Sequence, residues 1–221
     1  MNVLVSVLWK DLLSEWRSRD RVVAMGVFAL LVVLVYQFAL PGLPAEEMRA
    51  WAPGLLWIAY TFAALLGLNR AFALELDNEA LSGLALVPVD RGWIFLGKAA
   101  ANVALLFPVQ VLVGLVFAGV VELPIGGVVA PLLGVAALGA VGICSVGTVF
   151  GAVAVRTTYR EVMLPLLILP LLLPILIGAV RATAGLLETG DAPGGALRLL
   201  FVADAVYLIL SFLVFEYVLD E

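Results

Sequence analysis

The sequence predicts an all-α integral membrane protein with six transmembrane helices. Hydrophobic residues make up 64% of the 221 residues and charged residues only 13%, and the mean hydropathy is +1.17. Soluble domains typically contain about 45–50% apolar and about 25% charged residues. A 23.4 kDa globule could not bury this much apolar surface, so the chain needs lipid around it. We expect residues 1–221 to form a single transmembrane domain.

Six apolar runs in the sequence are candidates for membrane spans. A transmembrane helix needs about 20 mostly apolar residues, and these runs contain between 17 and 28 residues. The first run is too long for the core of a signal peptide, and 21 residues with three acids precede it, so we expect it to be retained. The predicted spans are residues 22–40, 51–69, 99–121, 128–155, 162–180 and 199–215.

Positive charges between the spans predict the orientation of the chain. Cytoplasmic loops of membrane proteins carry an excess of Lys and Arg. Nine of the twelve basic residues lie on the side of the N-terminus and three lie on the opposite side, so we expect both termini in the cytoplasm. The nine are Lys10, Arg17, Arg19, Arg21, Arg70, Arg91, Lys98, Arg156 and Arg160.

The N-terminal segment, residues 1–21, predicts an amphipathic helix in the membrane interface. Apolar residues recur at intervals of four, and charged and polar residues occupy the remaining positions. This spacing places one apolar stripe along a helix with a charged face, a pattern typical of helices that lie at the bilayer surface. The stripe consists of Leu4, Leu8, Leu12 and Trp16.

The segment between the second and third predicted spans, residues 70–98, is the most informative part outside the membrane. It is charged and partly apolar, with only rough helical periodicity. Two interpretations remain open: the segment docks a soluble partner, or it only caps the ends of the two spans. Its candidate residues are Glu75, Asp77, Glu79, Leu81, Gly83 and Arg91.

Residues 92–98 in this segment fit the spacing of a phosphate-binding P-loop, but we interpret the match as coincidental. The motif requires Ser or Thr after its Lys to hold magnesium, whereas Ala99 follows Lys98. Its interior requires small residues, whereas Trp93 and Phe95 are bulky. We therefore expect any ATP that drives this protein to bind another chain.

Two features inside the predicted spans are candidates for function. The fifth span contains Pro165, Pro170 and Pro174; each proline removes a backbone donor, so we expect a kink or break, as at transport sites. A lipid-adjacent kinked helix is the alternative. Asp204 interrupts the sixth span about 7–8 Å from its predicted start, and we expect it to pair with Arg198 or Arg181 or to be solvated at the interface.

Small and aromatic residues give weaker signals. Gly147 and Gly151 are four residues apart, a spacing that allows close helix packing in lipid. Trp57 lies among aromatic residues that predict interfacial anchors, although a flat hydrophobic macrocycle could stack there.

Catalytic and metal chemistry have no support in the sequence. The chain has no histidine and a single cysteine, Cys144. An internal disulfide and CxxC motifs are therefore excluded, and the commonest metal ligand and general base is missing. We predict no catalytic residues, no metal site and no enzymatic activity of its own.

Three ordered segments resemble cytochrome c maturation protein B, the heme exporter permease family. The opening resembles the family at Lys10-Asp11-Leu12 and Glu15-Trp16-Arg17-Ser18-Arg19. The second span and following loop are similar at Trp57-Ile58-Ala59, residues 65–72, Leu81-Ser82-Gly83-Leu84, Pro88 and Lys98. The proline-rich fifth span is similar at Leu164-Pro165-Leu166, Leu169-Pro170 and residues 174–179. The chain departs from the family at residues 75–80, where Gly83 stands in for an expected earlier glycine.

The resemblance implies an ABC-2-type permease subunit in the bacterial inner membrane. Two copies would pair with two copies of an ABC ATPase subunit that supplies ATP, alongside other heme-handling membrane proteins and a periplasmic heme chaperone. Heme would be the transported ligand, with no cofactor bound covalently and no nucleic acid involved. The loop residues named above would couple to the ATPase, and the three prolines and Trp57 would belong to the transport path. An ABC-2 permease for another lipid-like or drug substrate, and a non-transporting scaffold, are the alternatives.

Overall fold

The computed structural model describes residues 3–40, 42, 44–77, 90–154 and 160–220, apart from the side chains at positions 45, 72–77, 160–161 and 219–220. Within these ranges the chain forms seven α-helices and no strand, which confirms the all-α prediction. They are α1 (Val3–Ser18), α2 (Asp20–Ala39), α3 (Ala45–Asp77), α4 (Arg91–Val120), α5 (Val129–Ala154), α6 (Arg160–Thr189) and α7 (Gly194–Asp220).

The six helices α2–α7 are long and apolar enough to cross a membrane. The prediction of six spans is therefore confirmed for the described part of the chain. Several helices run past the predicted limits, because a search for apolar runs stops at the first charge while helical backbone hydrogen bonds continue through charged end residues. α7, for example, begins at Gly194 rather than at Leu199.

Helices α3 and α4 extend well beyond the spans predicted for them. They contain 33 and 30 residues. At about 1.5 Å per residue they are about 50 and 45 Å long, whereas the hydrocarbon core is about 30 Å thick. α4 begins where the Asp90 carboxylate accepts a hydrogen bond from the amide of Gly92 at 2.8 Å. The predicted loop at 70–98 was therefore too long, because helix occupies both of its ends.

Residues 92–98, which match the P-loop spacing, are a regular part of α4. Ile94 and Phe95 are buried in a small apolar cluster that also contains Val7 of α1 and Phe215 of α7. The amides of Gly92 and Trp93 bond to Asp90, and amides farther along the helix are bonded to carbonyls one turn earlier. They are not free to surround a phosphate.

Helix α5 is the centre of the bundle and packs against α3, α4, α6 and α7. Its glycines receive large side chains from these neighbours: Gly139 lies against the ring of Trp57, and Gly147 lies against Leu68 of α3. Gly151 is also buried. The Gly147–Gly151 face therefore packs inside the protomer, where close helix approach needs the missing side chains.

Helix α1 packs against α4 and, less extensively, against α2. The closest approach is at Gly97 of α4, where an added Cβ would lie 2.9 Å from the backbone oxygen of Leu4. Three residues of the predicted stripe, Leu4, Leu8 and Leu12, are half-buried, whereas its fourth residue, Trp16, is exposed. The exposed side also carries apolar residues that a search for one stripe overlooked. They are Val5, Trp9 and Leu13.

Helix α6 continues without interruption through its three prolines. Its buried face is a stripe that includes Leu164, Ile168, Leu172 and Ile175, and Pro170 is exposed. The helix therefore does not break at the prolines, while the alternative expectation, a kink, stays a prediction. A break would leave backbone groups without partners in lipid, where no water can satisfy them.

Candidate functional site

A buried ion pair joins α1 to the start of α2. Arg19 adopts a left-handed backbone conformation (φ 59°) and turns the chain between the two helices. This turn brings the Glu15 carboxylate to the first amides of α2, where Oε1 accepts hydrogen bonds from the backbone of Arg21 at 3.0 Å and Val22 at 2.9 Å. Oε2 lies 3.3 Å from Nε of Arg21. The side chain of Glu15 thus satisfies helix-terminal amides that otherwise have no partner inside the helix.

The same arginine continues the contact into the centre of the bundle. Its Nη1 donates to Oδ1 of Asn102 in α4 at 3.0 Å, and Nδ2 of Asn102 donates to Oγ1 of Thr148 in α5 at 2.9 Å. All four side chains are buried. We call Glu15, Arg21, Asn102 and Thr148 the polar chain. Because a buried polar group is costly unless it is bonded, these contacts hold α1, α2, α4 and α5 in one arrangement.

A second ionic contact lies one turn from the polar chain. Nζ of Lys98 is 3.7 Å from Oδ2 of Asp11, and Lys98 is almost fully buried. Sequence reasoning assigned Arg21 to the N-terminal interfacial segment and Lys98 to the loop at 70–98. It missed Asn102, because it looked inside the spans mainly for ionisable residues. The sequence did contain a usable signal, because Asn102 lies four positions after Lys98 and therefore on the same side of α4.

The predicted coupling residues are placed only in part. Glu75 and Asp77 lie in the last turns of α3. Arg91 opens α4, and its Nη1 donates to the backbone oxygen of Glu216 in α7 at 3.0 Å. Glu79, Leu81 and Gly83 lie outside the described residues. The structure therefore brings Arg91 to the end of α7, and it places two of the acids at the end of a long helix.

A cavity of about 250 Å³ lies between α3, α4, α5 and α6. Trp57 and Tyr60 form part of its wall with their rings edge to face, 5.5 Å between centroids. Nε1 of Trp57 donates to Oγ1 of Thr183 at 2.9 Å, and the Tyr60 hydroxyl donates to the backbone oxygen of Gln110 at 2.7 Å. These bonds fix both rings in place.

The wall of this cavity is otherwise apolar apart from one amide. The side chain of Gln110 is 1% exposed and has no hydrogen-bond partner in the described residues. Trp57, which the sequence assigned to the transport path, belongs to this wall, whereas Pro165, Pro170 and Pro174 do not. The cavity offers an apolar molecule one hydrogen-bonding group and two aromatic rings.

Asp204 of α7 is buried away from both the polar chain and the cavity. It is 4% exposed and packs against Gly142 of α5, and within the described part of the chain neither of its oxygens has a hydrogen-bond partner. Arg181 and Arg198 are exposed. The expectation that Asp204 pairs with one of them or is solvated was wrong, because α7 begins five residues earlier than predicted and carries this side chain deeper.

Comparison with known proteins assigns the chain to a family. Residues 2–219 match the family described as CcmB protein. "Heme exporter protein B" of Rhodobacter capsulatus is 34% identical over 154 residues, 68% of each chain. The proteins of the same name from Paracoccus denitrificans and Pseudomonas aeruginosa are 30% identical over 80% of each chain and 29% identical over 71%. With a match that spans nearly its whole length, this chain belongs to the CcmB family.

Proposed function

We propose that this protein is the membrane (permease) subunit of an ABC transporter complex that exports or delivers heme during the biogenesis of c-type cytochromes. The observation that carries the proposal is the family match over residues 2–219, together with relatives named for heme export. A bundle of six spans with no phosphate-binding loop in its described residues is consistent with a subunit that takes its energy from a partner ATPase.

The ends of α3 and α4 are the part of the molecule best suited to receive motion from that ATPase. Both helices are longer than the bilayer core is thick, and they border the segment 78–89 that connects them. With both termini in the cytoplasm of a bacterial inner-membrane protein, this segment faces the ATPase. We assign the coupling role to it and to the adjacent helix ends, with Glu75, Asp77, Glu79, Leu81, Gly83 and Arg91 as the contact residues.

Helix α4 provides a route from that contact into the bundle. Arg91 at its first turn bonds to the end of α7. Lys98 and Asn102, two and three turns later, bond to α1 and to α2 and α5. A displacement of the α4 end therefore changes contacts to four other helices. Two copies of this chain with two ATPase subunits would move together in this way.

The chemistry of the cavity limits how this subunit handles heme. The usual axial ligand of heme iron is histidine, and this sequence contains none. A cavity of about 250 Å³ is also below the range of roughly 300–1,000 Å³ that holds drug-sized ligands. We therefore assign iron ligation to partner proteins, the other heme-handling membrane subunits and the periplasmic chaperone. Trp57 and its neighbours contribute apolar contact only.

Charge reversal at the end of α3 tests the coupling role. The triple variant Glu75→Lys, Asp77→Lys, Glu79→Lys should reduce co-purification of the co-expressed ATPase at least tenfold. The matched control reverses Glu46 and Glu47, which lie in the first turn of the same helix at its opposite end. Equal recovery of the ATPase with both variants would remove the coupling role from this segment.

Deletion of the gene separates heme delivery from the export of another substrate. We expect c-type cytochromes, measured by heme staining of membrane proteins, to be lost and to return with the wild-type gene. Normal c-type cytochromes in the deletion strain would instead favour an ABC-2 permease for a lipid-like or drug substrate. Loss of c-type cytochromes in the deletion strain, together with no ATP-dependent movement of the helices in the protein, would favour a scaffold.

A further inference from the structure

Asp204 lies near the middle of three membrane spans at once. It is the eleventh residue of α7, about 15 Å along the helix axis from Gly194. Its carboxyl group packs against Gly142, where Ile175 also packs. Gly142 and Ile175 lie at the centres of α5 and α6, which run over Val129–Ala154 and Arg160–Thr189. In a hydrocarbon core about 30 Å thick, this convergence places the carboxyl group close to the bilayer midplane.

The surroundings of Asp204 offer no compensating charge. Helix α5 has no charged residue, and its Cys144 lines a separate small cavity with Met25 and Leu68. In α6 and α4, no charged residue occurs within positions 162–180 or 99–120.

On α7 itself the nearest groups that could interact with Asp204 are already oriented elsewhere. The Tyr207 hydroxyl donates to the backbone oxygen of Leu171 at 2.7 Å, and Arg198 is exposed. Arg181 of α6 is exposed as well. Among the described residues, therefore, no cation or hydrogen-bond donor reaches the carboxyl group.

An ionised carboxylate in such a place is expensive, and ionisable groups inside a membrane mark functional sites by default. The charge can be removed by a cation or by a proton. On the side of α5 the packing leaves no room for a coordinated metal ion, because even a Cβ added to Gly142 would overlap Oδ1 of Asp204. Among the residues that the structure describes, no cluster of three potential metal ligands exists either.

We propose that Asp204 is a proton-binding site in the centre of the bundle. It holds a proton while α7 is packed against α5 at Gly142, and it releases the proton when these helices separate and water reaches the carboxyl group. Proton binding at Asp204 is thereby linked to helix packing. This property is not required of a permease driven by a partner ATPase, and it stands or falls independently of the transported substrate.

The chain contains its own control for this proposal. Glu15 is buried to nearly the same degree, at 6% exposed, but its carboxylate accepts two backbone hydrogen bonds and faces the Arg21 guanidinium. Glu15 is therefore a matched control: its carboxyl group is buried with hydrogen-bond partners, whereas that of Asp204 is buried with none among the described residues.

Infrared spectroscopy of the full chain in an ester-free detergent tests the proposal directly. A protonated carboxyl group gives a C=O stretching band that a carboxylate lacks, and ordinary aspartates, with a pKa of about 3.9, are ionised at neutral pH. We expect one such band in wild type at pH 7, shifted by labelling with side-chain ¹³C-aspartate and lost in Asp204→Asn. Glu15→Gln should leave the band unchanged. A wild-type spectrum without it, or a band that survives in Asp204→Asn, overturns the proposal.

A wedge between the two helices tests the link to packing. Gly142→Ala places a methyl group against Asp204 and should weaken or abolish the acid band, because the helices must separate. Gly134→Ala lies in the same helix with nothing within 4 Å of its added Cβ and should leave the band intact. Circular dichroism identifies variants that fail to fold, and in that event the Asp204→Asn comparison alone decides. A band of full strength in folded Gly142→Ala refutes the link.

Discussion

Replacing Glu15 by alanine tests whether the polar chain holds the N-terminal helices to the bundle. The substitution removes two backbone hydrogen bonds at the start of α2 and the carboxylate that faces Arg21. Loss of a helix cap costs about 1 kcal/mol. Removing one member of a buried ion pair costs about 3–5 kcal/mol. We use the low end, about 3 kcal/mol, because Nη1 of Arg21 retains Asn102.

The expected destabilisation of Glu15→Ala is therefore about 4 kcal/mol. The measurement is the free energy of unfolding of the detergent-solubilised protein during titration with a denaturing detergent, followed by circular dichroism. A loss below about 1 kcal/mol would mean that the cap and the ion pair contribute little, and it would refute our account of this turn.

A double-mutant cycle then separates the charge from the cap. If the cost of Glu15→Ala arises mainly from the unneutralised guanidinium, adding Arg21→Met should recover part of the stability, because both charges are then absent. We expect the double variant to be less destabilised than the sum of the two single variants by about 0.5–3 kcal/mol, the usual interaction energy of residues in contact. Strict additivity of the two single changes would contradict the proposed pairing.

Three further predictions concern other parts of the bundle. Gly97→Ala should loosen α1 and lower the melting temperature, because the added Cβ would meet the backbone of α1. Gly119→Ala in the same helix is the control, since nothing lies within 4 Å of its added Cβ. Equal melting temperatures for the two variants would contradict the close approach of α1 and α4. Trp9 and Trp16 are 64% and 73% exposed, and brominated lipids in reconstituted vesicles should quench their fluorescence; unquenched emission would place this face in water. Gln110→Leu should raise the stability by about 1–3 kcal/mol, because it removes a buried amide that has no partner in the described ranges; a loss of stability would show that the amide is satisfied by water or a ligand.

The coupling segment illustrates where a sequence reading stops. The charged residues at positions 75–98 correctly indicated a region outside the apolar runs. They did not indicate that α3 and α4 continue as helix into both ends of this region. Helix propagation depends on backbone hydrogen bonds, which charged residues do not prevent at a helix end. The residue at which a helix ends is therefore decided by backbone hydrogen bonds. An apolar run indicates only which residues can contact lipid.

The local sequence pattern also failed to predict the environment of side chains whose partners are distant in the chain. Arg21 bonds to Asn102, 81 positions away, and Trp57 bonds to Thr183, 126 positions away. Periodicity in α1 identified an apolar stripe but assigned it to lipid, since a helix bears the same stripe whether lipid or α4 covers it. Of the kink or break that the three prolines predicted, the continuous helix excludes the break.

The sequence alone determined that this protein is surrounded by lipid, how many spans it has and which family it belongs to. These properties follow from the total apolar content, from runs long enough to cross a bilayer, and from ordered motifs, all of which are read along the chain. The tertiary structure alone decided which polar side chains are buried and what they meet. Arg21 and Asp204 are both ionisable residues in helices α2 and α7, yet one is bonded through α4 to α5 and the other faces Gly142 with no partner among the described residues. That difference arises from helix packing, because the free energy of a buried charge depends on neighbours that the local sequence does not contain.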